Sequence, residues 1–318
     1  MDVPEEELLE AIRRALSGSA EPVRVGVGDD AAVVAPGTGE LVLTTDALVE
    51  RTHFDLDTWS ARDLGYKAVA VNVSDIAAMA ASPRYALAAL TLSDRVDAAF
   101  VMELIGGMRE CADEHALWIV GGNLSRGTDV VVVVTIVGEV APGRAVRRDG
   151  AGAGDVVVVT GSLGAAALGL RSMTRRGNWS DDERTAIRHL MRPTARVGEA
   201  AILARSGATA MIDISDGLGI DLRRLTRSSG VAASIRLADV PVAPAASLDE
   251  AIGGGEDYEL LATMPSIEAA DAARRDIAET FGIALTPIGW IADGDGVTAI
   301  GADGTERPLE PAGWDHFA

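Results

Sequence analysis

The chain has one cysteine, Cys111, and one lysine, Lys67. A single cysteine excludes an internal disulfide and any zinc site built on paired cysteines. A single lysine leaves arginine to supply almost all the positive charge, and that charge is small. Lys and Arg together number 28 against 48 Asp and Glu, for a net charge of −20. Proteins that grip nucleic acid need a basic face, and anionic membrane surfaces repel an acidic one, so neither is an expected partner. Long apolar runs are also missing: none approaches the ~20 residues of a membrane-spanning helix. The N-terminal MDVPEEELLEAIRRAL is acidic and amphipathic, the opposite of a secretory leader, so a reducing cytoplasm is the expected compartment. Aromatic residues make up only 4%, so the core must be built from Ala, Val, Leu and Ile. Three motifs are absent as well: the phosphate-binding G-x-x-x-x-G-K-[ST], the protein-kinase set with H-R-D, and the G-x-S-x-G nucleophile elbow.

What is present is ample apolar material, 48% of 318 residues, with a mean hydropathy of +0.18. That length suits about two domains. Apolar spacing predicts helices over 2–16, 60–81, 98–114, 164–176, 181–191, 196–205, 217–228 and 266–280. The helix at 60–81 is expected to stop because of Pro83. Short β-branched runs predict strands at 23–27, 31–35, 41–45, 85–92, 117–120, 130–137, 156–160, 211–214, 231–237, 258–264 and 284–291. Strands and helices mix throughout, which reads as an α/β (α+β) protein. The Gly- and Pro-rich stretch 141–155 is the candidate boundary between residues 1–143 and 144–318.

Six stretches could carry chemistry. GVGDDAAVV (26–34) fits a dinucleotide-binding pattern only loosely. Asp29 and Asp30 would face the pyrophosphate with like charge, so two carboxylates at a strand end suit a hard cation better; an Asp-rich turn explains the same residues. Thr44, Thr45 and Asp46 in TTDALVERTHF (44–54) offer oxygen ligands after an apolar strand, a set that suits Mg²⁺, although strand ends and caps use the same residues. His53 follows. In YKAVAVNVSDIAAMAASP (66–83), Asn72 and Asp75 share a helix face among small apolar residues, and a carboxylate there needs a partner. IVGGNLSRG (119–127) reads as a strand running into a Gly121-Gly122-Asn123 turn able to approach a phosphate. MIDISDGLGIDLRRL (211–225) places Asp213, Ser215 and Asp216 at a strand end before a helix, where capping is the plain alternative. GGGEDYELL (253–261) is a glycine loop ahead of Glu256, or simply a β-turn. Cys111 reads as a small core residue. Recurrent carboxylates with few cations nearby, chiefly Lys67, Arg126 and Arg148, suggest phosphate handling in which metal ions neutralise charge.

These stretches, together with RDGAGAGD (148–155) and the closing GWDHF, resemble in kind and order the thiamine-monophosphate kinases of the aminoimidazole ribonucleotide synthetase superfamily. The resemblance runs from about residue 5 to 318. It implies an N-terminal α/β domain whose sheet pairs with that of a second copy in a homodimer, a C-terminal α/β domain, and an active site in the cleft between them. It implies ATP and thiamine monophosphate as substrates and several Mg²⁺ ions. By motif, Asp30, Thr44, Thr45, Asp46, Asp75, Asn123, Asp213 and Asp216 would hold metal. Gly122, Asn123, Arg148 and Ser215 would meet the nucleotide, and His53, Glu256 and Trp314 the thiamine part. One position departs from the family pattern: Asn123 stands where the family carries a metal-binding Asp, and its amide oxygen brings no charge. The family's nucleotide-side tyrosine is replaced, in rough alignment, by Ile105. The alternative reading is a non-catalytic or altered-substrate nucleotide-binding homologue of the same superfamily.

Overall fold

The computed structural model describes residues 3–16, 22–29, 31–175, 177–309 and 313. The chain divides into two compact units, one of Met1–Ile76 and Ala81–Gly143, the other of Ala77–Ala80 and Arg144–Ala318.

The first unit holds α1 (Glu5–Leu16), β1 (Val23–Val25), β2 (Val33–Val34), β3 (Glu40–Val49), α2 (Ala61–Ala78), β4 (Ser82–Leu92), α3 (Ala98–Glu114), β5 (Trp118–Arg126) and β6 (Val131–Val140). Four strands form a sheet in the order β3-β6-β4-β5, antiparallel except for the parallel β4–β5 pair. Along β6, Val132, Val134 and Ile136 are buried while their neighbours Val133, Thr135 and Val137 are only partly covered. That period of two marks a sheet packed on one face only. The packed face meets apolar helices: Leu64, Val69, Val73 and Ile76 of α2 and Val101, Leu104 and Met108 of α3 are fully buried. A Cβ on Gly65 would collide with the Leu104 carbonyl, and one on Gly107 with the Arg62 carbonyl, so glycine is what lets α2 and α3 meet backbone to backbone. The other face leaves Leu41, Leu43 and Leu87 exposed by 62%, 65% and 47%.

The second unit holds β7 (Val156–Thr160), α4 (Ala165–Thr174), α5 (Asp181–Met191), α6 (Val197–Arg205), β8 (Ala210–Asp213), α7 (Leu218–Ser229), β9 (Ala232–Arg236), α8 (Leu248–Gly253), β10 (Leu260–Met264), α9 (Ile267–Phe281), β11 (Leu285–Ala292), β12 (Gly296–Ile300) and β13 (Glu306–Pro308). Seven strands lie in the order β13-β12-β9-β11-β7-β10-β8, with only β12–β9 parallel. Apolar clusters cover both faces. Val157 and Val159 pack with Leu218, Leu222 and Leu225 of α7, and Val158 packs with Ile202 and Leu203 of α6 and Ile277 of α9. Burial on both sides explains why β8 and β10 read as unbroken apolar runs. Helices α5 and α8 each begin with a capping box, Ser180 with Glu183 and Ser247 with Glu250.

Several sequence expectations are corrected. Helix α2 stops at Ala78, well before Pro83; left-handed Ala80 (φ 56°) turns the chain, and Pro83 lies inside β4. Thr44, Thr45 and Asp46 do not follow a strand but sit inside β3. Gly121-Gly122-Asn123 is likewise no turn: β5 continues through it to Arg126. Helix α8 and strands β12 and β13 had no counterpart in the sequence reading.

Candidate active site

In the first unit, strand alternation sorts the expected metal ligands by face. Thr44 points toward the helices, where its Oγ1 donates to Oδ2 of Asp75 on α2 at 2.5 Å. Asp46, two residues on, shares that side and is exposed. Thr45 points the other way and bonds Thr135 Oγ1 at 2.9 Å. Asn123 pairs with Ala89 and shares the open face with it. It lies three strands from β3, about 14 Å at the usual spacing. The structure therefore joins Thr44 to Asp75, places Asp46 on the same face of β3, and leaves Thr45 and Asn123 apart from them. Gly122 and Asn123 instead line a cavity of about 1470 Å³ over the open face, with Arg13, Asp29, Tyr85, Leu87 and Thr135. His53 sits in the turn after β3 and accepts the Val49 N–H through Nδ1 at 3.1 Å.

In the second unit, two motifs distant in sequence become one surface. Strands β8 and β10 are antiparallel neighbours, so the end of β8 and the start of β10 emerge side by side. Asp213 closes β8, and the turn 214–217 follows. The segment 254–259 runs beside it: Glu256 N donates to Ser215 O at 2.7 Å, Tyr258 N to Ile214 O at 2.9 Å, and Ile214 N to Glu259 O at 2.8 Å. Glycine is required at this approach, since a Cβ on Gly255 would stand 2.6 Å from Ser215 O. Ser215, expected at the nucleotide, and Glu256, expected at the thiamine part, are thus backbone neighbours.

Three buried carboxylates of these segments had no role assigned from sequence. Asp221 Oδ2 accepts the N–H groups of Ser215, Asp216 and Gly217 at 3.1, 3.0 and 3.2 Å, and Arg224 bridges Asp221 to Asp216. Burial, only partly offset by those donors and by Arg224, holds the Asp221 carboxyl above its usual range. Asp257 accepts from Gly164 N and Ala166 N at the start of α4. Glu259 takes both arms of Arg196 and the Thr160 hydroxyl, and burial keeps its carboxyl raised despite them. The available signal was an Asp in the first turn of a helix and acidic residues leading into an apolar strand, which need partners once buried.

The remaining residues lie elsewhere. Arg148 is exposed, and its carbonyl accepts from Ser229 Oγ at the C-terminal end of α7, away from Ser215 at the other end. Lys67 is fully buried, with its ammonium 5.0 Å from the Trp59 ring centroid, so it does not serve phosphate. Ile105 and Cys111 are core residues of α3. Asp30 and Trp314 lie outside the described residues.

The donors suit a hard cation. Asp75, Asp46, Thr44, Asp213 and Asp216 offer only oxygen, and Asn72, one helical turn from Asp75, buries an amide Oδ1 with no hydrogen-bond partner. Among the described residues no three His, Cys, Asp or Glu cluster tightly enough to cage an ion. Mg²⁺ tolerates that, since it keeps several waters and takes one or two carboxylates plus substrate phosphates.

Fold and carboxylate loops together define a two-domain protein of the AIR synthase-related class. The models "AIR synthase related protein, N-terminal domain" and "C-terminal domain" match residues 28–140 and 152–302. The thiamine-monophosphate kinase of Escherichia coli is 38% identical over 310 residues, 93% of each chain. The crystal structure of thiamine-monophosphate kinase from Stenotrophomonas maltophilia superposes with a TM-score of 0.84 at 35% identity, covering 96% of this chain and 98% of that one. A structure described as AaThiL complexed with AMPPCP and TMP superposes with a TM-score of 0.77 at 33% identity, covering 98% and 97%. The chain belongs to the thiamine-monophosphate kinase family.

Proposed function

We infer that the chain transfers the γ-phosphoryl group of ATP to the phosphate of thiamine monophosphate, giving thiamine diphosphate and ADP. The observation that carries this reading is similarity over nearly the whole length, at 38% identity, to a protein named for that reaction. AMPPCP is a non-hydrolysable analogue of ATP, so a relative complexed with it and with TMP adds support for both substrates.

The acceptor is a phosphomonoester whose second pKa is about 6, so its attacking oxygen is already ionised near neutrality. A strong general base is unnecessary, and no covalent nucleophile is assigned. What the chain must do is hold two anions in line and keep their repulsion down. Lys67 and Arg224 serve poorly, the first being buried and the second engaged by Asp216 and Asp221. Mg²⁺, when bound, would supply the charge that screens the phosphates and aligns them. Asp46, Asp75 and Thr44, with Asp30 by resemblance, form the ligand set of the first unit; Asp213 and Asp216 form that of the second. Gly122, Asn123 and Ser215 are the nucleotide contacts that the resemblance implies; it implies Arg148 as well, although that residue lies at the other end of α7 from Ser215. His53, Glu256 and Trp314 are the thiamine contacts that the resemblance implies, and of these Glu256 offers a carboxylate to the cationic thiazolium. The open face bearing Leu41, Leu43 and Leu87 is the surface on which a second copy would pack, giving a homodimer. A cytoplasmic setting suits the single thiol.

Purified protein with ATP, thiamine monophosphate and Mg²⁺ should form thiamine diphosphate, seen by chromatography, and chelation should abolish it. Absence of product under every divalent cation tried would sink the assignment. An Asn123→Asp variant that alone had activity would favour the non-catalytic homologue.

A further inference from the structure

The segment carrying Glu256 is held in a shape its residues resist. Glu256 and Tyr258 both have positive φ, 69° and 52°, which residues bearing a Cβ rarely adopt. Such conformations persist only where the surroundings over-determine them. Between the two lies Asp257, whose side chain has no solvent exposure. Its Oδ2 accepts the Gly164 N–H at 2.6 Å and its Oδ1 the Ala166 N–H at 3.0 Å. Those donors open α4, whose capping residue Gly164 has no side chain to satisfy them. Asp257 therefore supplies, from more than ninety positions away in sequence, the side-chain acceptors that the N-cap of α4 lacks. From α5, His189 Nε2 reaches the Asp257 carbonyl at 3.0 Å and stands 3.8 Å from its Oδ1. On the other flank, Glu256 and Tyr258 are bonded to Ser215 and Ile214.

We propose that Asp257 is a positioning residue: its carboxylate, clamped onto the first turn of α4, fixes the backbone that presents Glu256, and so sets the affinity for the cationic ring of the acceptor substrate. This rests on the reading of Glu256 as a thiamine contact. A cap on an ordinary helix would be served by any local Ser, Thr or Asp. Here the cap comes from the substrate loop itself, so the two cannot loosen independently.

The clamp is also exposed to pH. The charged groups facing Asp257 are His189 from α5 and Glu259 from the start of β10, the latter backed by Arg196 and Glu199 of the α6 region; α4 contributes only backbone N–H groups. Burial, opposed by those N–H groups, pushes Asp257 up to about 7. As pH falls through that value the carboxyl gains a proton, and its O–H no longer accepts from a backbone donor. The clamp weakens and the acceptor binds less well.

The test compares wild type, Asp257→Asn, Asp257→Glu and Glu256→Gln, each checked for native circular dichroism, between about pH 6 and about pH 8. At the alkaline end Asp257→Asn should raise KM for thiamine monophosphate about tenfold while leaving KM for ATP unchanged. Its KM should also lose the wild-type rise near pH 7, keeping only the inflection of the substrate phosphate near ~6. Asp257→Glu, which keeps an ionisable carboxyl, should restore part of that rise. Independently of any variant, the backbone amide signals of Gly164 and Ala166 in the wild type should titrate with a midpoint near 7. An unchanged KM and pH profile in Asp257→Asn, with a raised KM in Glu256→Gln, would overturn the clamp and leave the thiamine reading standing. An unchanged KM in Glu256→Gln would remove the reading on which the clamp rests. Gly164 and Ala166 amide signals left unshifted by Asp257→Asn would overturn it without recourse to activity.

Discussion

Among single residues, charge governs what the site can tolerate. Asp75 sits near the end of α2 with apolar neighbours such as Ile76 and Ala78, and its carboxylate accepts from the Thr44 hydroxyl. We expect Asp75→Ala to retain its fold while kcat falls about 100-fold, the scale of losing one preorganised electrostatic partner. A magnesium titration of turnover checks this, and the apparent requirement for the ion should rise as well. Arg196 presents a different problem. It is the partner of Glu259, a carboxylate that is only 2% exposed. Arg196→Ala strands that charge and should cost about 3–5 kcal/mol in urea unfolding, whereas Arg196→Met with Glu259→Leu should recover most of the loss. At this scale the sequence was only partly legible. Asp213, Ser215, Asp216 and Glu256 stood out because polar residues broke apolar runs beside glycines. Asp221, Asp257 and Glu259 did not, because what distinguishes them is burial and, for Asp257 and Glu259, partners far away in sequence, neither of which is a local property.

Secondary-structure elements are where periodicity spoke most clearly. Helices such as α3 and α5 were readable to the residue from their apolar spacing and caps. Strand ends were harder, because nothing in TTDA or GGN distinguishes the middle of a strand from a loop after it. Pairing decides: β3 runs on because β6 offers ten successive partners, and β5 because β4 pairs with it from Trp118 to Arg126 across one irregularity. Extending those strands changes the site, since Thr44 and Thr45 then face opposite ways. Small residues also act at this level. Because Gly107 lies against the Arg62 carbonyl, Gly107→Ala must push α3 away from α2. Overpacking of this kind should cost about 1–3 kcal/mol, measurable by thermal unfolding. The same change at Gly152, where a Cβ would meet nothing, should be close to neutral.

Across the whole molecule, the boundary near residue 143 separates a sheet covered on one face from a sheet covered on both. The first kind leaves apolar residues to be hidden, and a second copy of the chain would hide them. Leu43→Arg should therefore shift sedimentation from dimer toward monomer, while a strict monomer in the wild type would remove the proposed interface. The overall acidity belongs to this scale too: a protein of net charge −20 that handles two phosphorylated substrates must import its positive charge. The most direct measurement is to follow the label from ATP carrying ³²P at the γ position, with thiamine monophosphate and Mg²⁺ present. The label should arrive on the terminal phosphate of thiamine diphosphate, in step with ADP, and only when both the acceptor and the cation are supplied. Label released as inorganic phosphate, or retained in ATP, would contradict a thiamine-monophosphate kinase.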